Sequence, residues 1–136
     1  MVEVVDTDSQ VFIIEKVSKL LDIEVETDSE ICQFKKKRTA EAQKNSKVYV
    51  RWALDLKVSI SSLENDGQAV NEAEIFLLPE ELPNFTSALI QHSILFPTNF
   101  SQQLSMERGM YCIRIKSQES PINFAERLVG ALKSLA

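Results

Sequence analysis

The sequence predicts an α+β domain: a curved antiparallel sheet of about four or five strands, with an N-terminal, a short middle and a C-terminal helix packed on it. Three observations carry that prediction. From Val48 to Ile60, apolar residues (Val48, Val50, Trp52, Leu54, Leu56, Val58, Ile60) alternate with Tyr49, Arg51, Ala53, Asp55, Lys57 and Ser59, the period-two signature of a strand with one buried face. Asp66-Gly67, a strong hairpin signal, leads into a second alternating run across residues 69–78. Ser120-Pro121 then opens a last helix in the favoured N-cap and N1 positions. Its Ile122, Ala125, Leu128, Val129, Leu132 and Leu135 recur at helical spacing.

The elements follow in order. Asp8 or Ser9 caps a first helix whose Val11, Ile14, Val17, Leu20 and Leu21 form a stripe that Phe12 and Ile13 widen toward the sheet. Residues 1–8 form a loose tail. Ile23 and Val25 come next, and a two-residue turn at Asp28-Ser29 would pair them with Phe34 and Cys32. One continuous bulged strand is the other way to read that stretch. The polar run from Lys36 to Ser46 is the expected loop. The long strand spans roughly 43 Å at 3.3 Å per residue, so it is expected to bend or carry a bulge. A type I′ turn at Asp66-Gly67 would set Ile60 opposite Ala73, Val58 opposite Ile75 and Leu56 opposite Leu77. That register puts Phe76 on the outer face with Lys57, Glu74 and Leu78. Pro79 closes the hairpin, and Glu80-Glu81 begins a helix over residues 80–93 carrying Leu82, Phe85, Leu89 and His92. Residues 98–103 look irregular. Met110 to Lys116 forms a strand that can pair with Leu104–Met106 through Glu107-Arg108-Gly109.

The bulk properties narrow the functions. At 136 residues, 44% hydrophobic and 26% charged, the chain is long enough for one domain, 1–136, with a core of its own. It has no apolar leader and no run approaching the ~20 apolar residues of a membrane helix. The expectation is therefore an intracellular protein, cytoplasmic or nuclear. Cys32 and Cys112 lie in alternating apolar runs and are read as buried free thiols. His92 is the single histidine and is read as a helix-end residue. Two cysteines and one histidine do not make the four-ligand set of a structural zinc site. Neither a phosphate-binding glycine loop nor a nucleophile elbow is present. The expectation is a non-enzyme with no catalytic residue, cofactor or metal.

Two surfaces remain as candidates. The net charge of −5 conceals an asymmetry: residues 1–30 hold nine acids against Lys16 and Lys19. Residues 35–51 hold Lys35, Lys36, Lys37, Arg38, Lys44, Lys47 and Arg51 against Glu41. This basic segment suits nucleic acid or an anionic lipid, a nuclear import signal, or a solvated loop that blunts a strand edge. The second candidate is the outer sheet face. Tyr49, Phe76 and Leu78 make it too apolar for a wholly wet surface, which points to a partner protein or self-association. The leading expectation is thus a protein–protein interaction or assembly subunit acting through that face or an exposed strand edge. Nucleic-acid or lipid binding through 35–51 comes second, and a small-ligand pocket between sheet and terminal helix third.

Overall fold

A computed structural model describes residues 7–28, 31–45, 48–64 and 66–135, with the side chains of 7–10, 27–28, 40–45 and 48–52 left outside the description. Helix α1 (Thr7–Leu21) leads into strands β1 (Val25–Asp28), β2 (Ile31–Asn45), β3 (Val48–Ser61) and β4 (Ala69–Leu77). A 3₁₀ turn (Pro79–Glu81) and helix α2 (Leu82–Gln91) follow. Strands β5 (Ser101–Glu107) and β6 (Met110–Glu119) and helix α3 (Pro121–Lys133) complete the chain. All six strands are antiparallel, in the order β1-β2-β3-β4-β6-β5. The three helices that the sequence predicts are present, and the sheet has six strands where four or five were expected. No helix among the described residues is long and apolar enough to cross a membrane.

The helices share one face of the sheet. There Phe34, Leu56, Val58, Ile60, Ile75, Leu77, Ile113 and Ile115 meet Val17 and Leu21 of α1, Phe85 and Leu89 of α2, and Phe124, Ala125 and Leu128 of α3. Burying this set removes most of its apolar area from water, the main favourable term in folding. Helix α1 packs chiefly on α3. Phe12 consequently stays 62% exposed and does not widen the buried stripe as the sequence suggested. The helix begins at Thr7, inside the expected tail. It ends in a Schellman cap: Ile23 N–H bonds Ser18 O (3.1 Å), Asp22 N–H bonds Lys19 O (3.3 Å), and Asp22 takes a left-handed φ of 56°. Ser120 caps α3 as predicted, its Oγ accepting from Asn123 N–H (3.4 Å).

The largest departure is β2. Lys36 to Asn45 is strand, paired residue by residue with β3 from Cys32↔Ile60 to Gln43↔Tyr49, with a register shift at Gln43/Asn45. A strand at the margin of a sheet needs a backbone partner more than an apolar face. The unbroken alternation of β3 supplies that partner. Lys35, Lys36 and Lys37 are exposed, so no period-two hydrophobic signal survives there to mark the strand.

Two turns also differ from expectation, while β5 pairs with β6 across Arg108-Gly109 as the sequence suggests. The β1–β2 ladder runs Val25↔Phe34 and Thr27↔Cys32 to Asp28↔Ile31, two residues away from the pairing that a turn at Asp28-Ser29 would give. The β3–β4 ladder sets Ile60 opposite Asn71, Val58 opposite Ala73 and Leu56 opposite Ile75, again a shift of two. Each shift is even and so preserves which residues face the core. The cause in β3–β4 is the loop. Gly67 N–H bonds Glu64 O (2.9 Å), Glu64 N–H bonds Gln68 O (2.8 Å), and Gly67 alone of the predicted pair has positive φ (85°). This is a three-residue loop with glycine in the left-handed position, and Ser62 (φ 55°) adds a further irregularity. The type I′ signature of two successive positive φ values appears instead at Arg108 (55°) and Gly109 (79°), joining β5 to β6. Strand β5 takes in Ser101–Gln103, which the sequence had left irregular.

Candidate functional site

The outer sheet face is built by strand alternation. In one row across it, Lys35, Lys57, Glu74, Arg114 and Gln103 lie side by side. The next row places Gln33, Ser59, Glu72, Lys116 and Ser101 together. Opposite charges meet across strands: Arg114 Nε lies 3.3 Å from Glu74 Oε2, and Lys116 Nζ lies 3.5 Å from Glu72 Oε1. These rows line an open groove of about 510 Å³. Such exposed pairs add little stability, but they make this region a wetted, mixed-charge face.

Phe76 does point outward, half-buried, beside Cys112 in the register. Leu78 does not: it is 5% exposed, where the chain turns in to start the 3₁₀ segment. Tyr49 is in β3 opposite Gln43, and its side chain lies outside the described residues. The expected apolar trio therefore does not come together as one described surface.

Cys112 is fully buried on the outer side of β6. Burial pushes its thiol pKa up, nearby Arg114 pulls it down, and Glu74 and Glu107 add to the rise. Cys112 is a poor thiolate at neutral pH. Cys32 is partly exposed, and both cysteines are free. His92 ends α2, its Nδ1 accepting from Ile94 N–H (3.0 Å). No group of three or more histidine, cysteine or carboxylate side chains converges among the described residues.

The basic segment is divided by its strand. Lys35 and Lys37 alternate outward with Lys57, whereas Lys36 and Arg38 share the parity of the core residues Phe34 and Leu56. Lys36 Nζ reaches Asp22 Oδ2 at 3.9 Å. Arg38 is held at its tip: its Nη1 donates to Glu81 Oε2 (2.9 Å), and its Nη2 donates to Glu81 Oε1 (2.6 Å) and Phe76 O (2.9 Å), while its buried Nε has no hydrogen-bond partner among the described residues. Lys44 and Arg51 belong to β2 and β3, with side chains outside the described residues, and Lys47 is outside them altogether.

Two features escaped the sequence reading. One is a buried charged cluster between the end of β6 and the middle of α3. Arg127, 1% exposed, donates through Nη2 to Glu119 Oε2 and through Nη1 to Leu95 O (3.3 Å). Its guanidinium lies over the stacked rings of Phe96 and Phe100 (5.0 and 5.6 Å to the centroids). Ser117 Oγ also donates to Glu119 Oε2 (2.6 Å). The other is the β5 edge. β5 ends the sheet, and every residue from Ser101 to Glu107 is exposed except the half-buried Ser105. Leu104 (50%) and Met106 (57%) stand on the helix side of the sheet, in register with Ile113 and Tyr111. At the opposite margin, β1 has only four residues and β2 carries Lys35–Arg38, the usual devices that discourage strand addition. β5 carries neither lysine nor proline.

Residues 15–134 match the model of the family described as Domain of Unknown Function (DUF1259). The chain belongs to this family. The match runs from the middle of α1 through α3, so the family's unit takes in the whole sheet, the clamp around Arg127 and the β5 edge. No curated protein and no solved structure matches the chain.

Proposed function

We propose that the chain is a non-catalytic protein–protein interaction or assembly module that receives its partner at the β5 edge. One observation carries the reading: a seven-residue terminal strand with no guarding charge on its core-side face leaves Leu104 and Met106 half in water. An unpaired strand edge offers a row of backbone donors and acceptors, and side chains on alternate positions add selectivity. Nucleic-acid or lipid contact through 35–51 draws less support, because Arg38 is held by Glu81 and the neighbouring lysines alternate between two faces. A photo-cross-linking residue installed at Gln103 tests the proposal in intact cells, with one at Ser59 as control. Discrete protein adducts from position 103 alone support it. Equal or absent labelling at both positions refutes it.

A further inference from the structure

We infer that the β5 edge pairs with the β5 edge of a second copy of this chain, in an antiparallel register centred on Leu104. The inference rests on the interaction reading above and names the partner. In an antiparallel pair, residues directly opposite each other share a face of the sheet. A two-fold axis normal to the sheet therefore requires a residue to face its own copy. Full overlap of Ser101–Glu107 selects the central residue, Leu104.

The resulting contacts are self-complementary. On the helix side Leu104 meets Leu104 of the second copy, and Gln102 meets Met106, which extends the apolar rows that end at Ile113 and Tyr111. On the outer side Gln103 meets Ser105, and Ser101 meets Glu107. No like charges oppose one another. Ser101 also neighbours Lys116 in β6, so the incoming Glu107 carboxylate approaches a cation on the same face. The same operation on the other free edge fails. Full overlap of the stretch of β2 that β1 leaves unpaired, residues 35–45, centres on position 40 and sets Lys36 against Lys44, like charges directly opposite. The charge pattern thus selects β5 and rejects β2 for self-pairing.

The test uses the purified full-length chain. Sedimentation equilibrium across the micromolar range should show a concentration-dependent dimer for wild type. Leu104→Lys and Leu104→Glu each place like charges at the two-fold axis and should weaken dimerisation by more than about tenfold. Mixing the two variants should restore the dimer, because the register brings residue 104 against residue 104. Leu104 is half exposed, so both variants should keep the wild-type circular dichroism spectrum. In wild type, hydrogen exchange of the β5 amides should slow as concentration rises. A wild type that stays monomeric, variants that still dimerise, or a mixture that stays monomeric would overturn self-pairing. Adducts to other proteins from position 103, with a monomeric wild type, would leave the interaction reading standing without it.

Discussion

Replacing Arg127 tests the hidden part of this fold. Arg127→Met keeps a long side chain in the site but removes the guanidinium. Glu119, 7% exposed, then keeps only the Ser117 hydroxyl as a side-chain partner, and Leu95 O loses its donor. Removing one member of a buried ion pair costs about 3–5 kcal/mol, because the remaining charge is left desolvated without compensation. The lost cation–π contact with Phe96 and Phe100 contributes roughly another 1 kcal/mol. A loss of about 4–6 kcal/mol is a large fraction of the 5–15 kcal/mol typical of a domain. Glu119→Leu should cost a similar amount by stranding the guanidinium. The double variant removes both charges from the interior and should come back to within about 2 kcal/mol of wild type, since apolar replacements of buried pairs are often tolerated. Urea unfolding of the four proteins at one pH, with equal m-values, measures the coupling. Single substitutions costing under about 1 kcal/mol, or additive losses in the double variant, would refute the claim that the pair is a closed, desolvated unit.

Four further outcomes follow from particular residues. Gly67→Ala should destabilise by roughly 1 kcal/mol, since Gly67 holds φ 85°, and Arg108→Asn should stabilise by up to about 1 kcal/mol, asparagine being favoured in the left-handed site of a type I′ turn; paired urea titrations check both. Gly130→Ala should not deliver the helix-propensity gain of about 1 kcal/mol, because the added Cβ would stand 2.9 Å from His92 Cδ2. In a His92→Ala background the same change should stabilise, and a difference between backgrounds below about 0.5 kcal/mol would contradict that packing. Ellman's reagent at neutral pH should label Cys32 quickly and Cys112 only on unfolding, since burial raises the Cys112 pKa; Cys32→Ser should abolish the fast phase.

Alternation and capping carried most of the fold. The face assignments of β3, β4 and β6, the cap at Ser120 and the amphipathic helices were all legible because each depends on local periodicity or a local hydrogen bond. Register was not legible. Apolar residues recur every second position, so a slip of two leaves the hydrophobic match intact, and Asp-Gly is compatible with both two- and three-residue loops. β2 was misread because its stability comes from pairing with β3, which the segment's own composition does not record. In the site, Phe76 was placed on its correct face by parity alone. Leu78 was placed wrongly because the chain leaves the strand after Leu77, where parity no longer applies. Glu119 and Arg127 did leave a signal. Glu119 continues the inward parity of Ile113, Ile115 and Ser117, and Arg127 falls on the stripe of Phe124, Leu128 and Ala131. Two opposite charges on two facing apolar surfaces imply a buried pair, a signal that the sequence analysis did not use.

The buried pair and the open edge belong to one mechanical unit. Arg127 sits in α3, yet three of its contacts (Leu95 O, Phe96 and Phe100) belong to the segment that leads directly into Ser101 of β5. Glu119, the other half of the pair, is the last residue of β6, the strand that carries β5 on its far side. The edge strand is thus fixed by its ladder with β6 and, at its start, by a charged clamp that the helical layer holds in place. A terminal strand bonded on one side only is the element most prone to fray. Anchoring its lead-in through a desolvated ion pair lowers the conformational entropy left to be lost when a second strand docks. If the proposed edge pairing holds, the cost of burying Arg127 and Glu119 serves recognition: it preorganises β5, an edge strand that carries neither lysine nor proline.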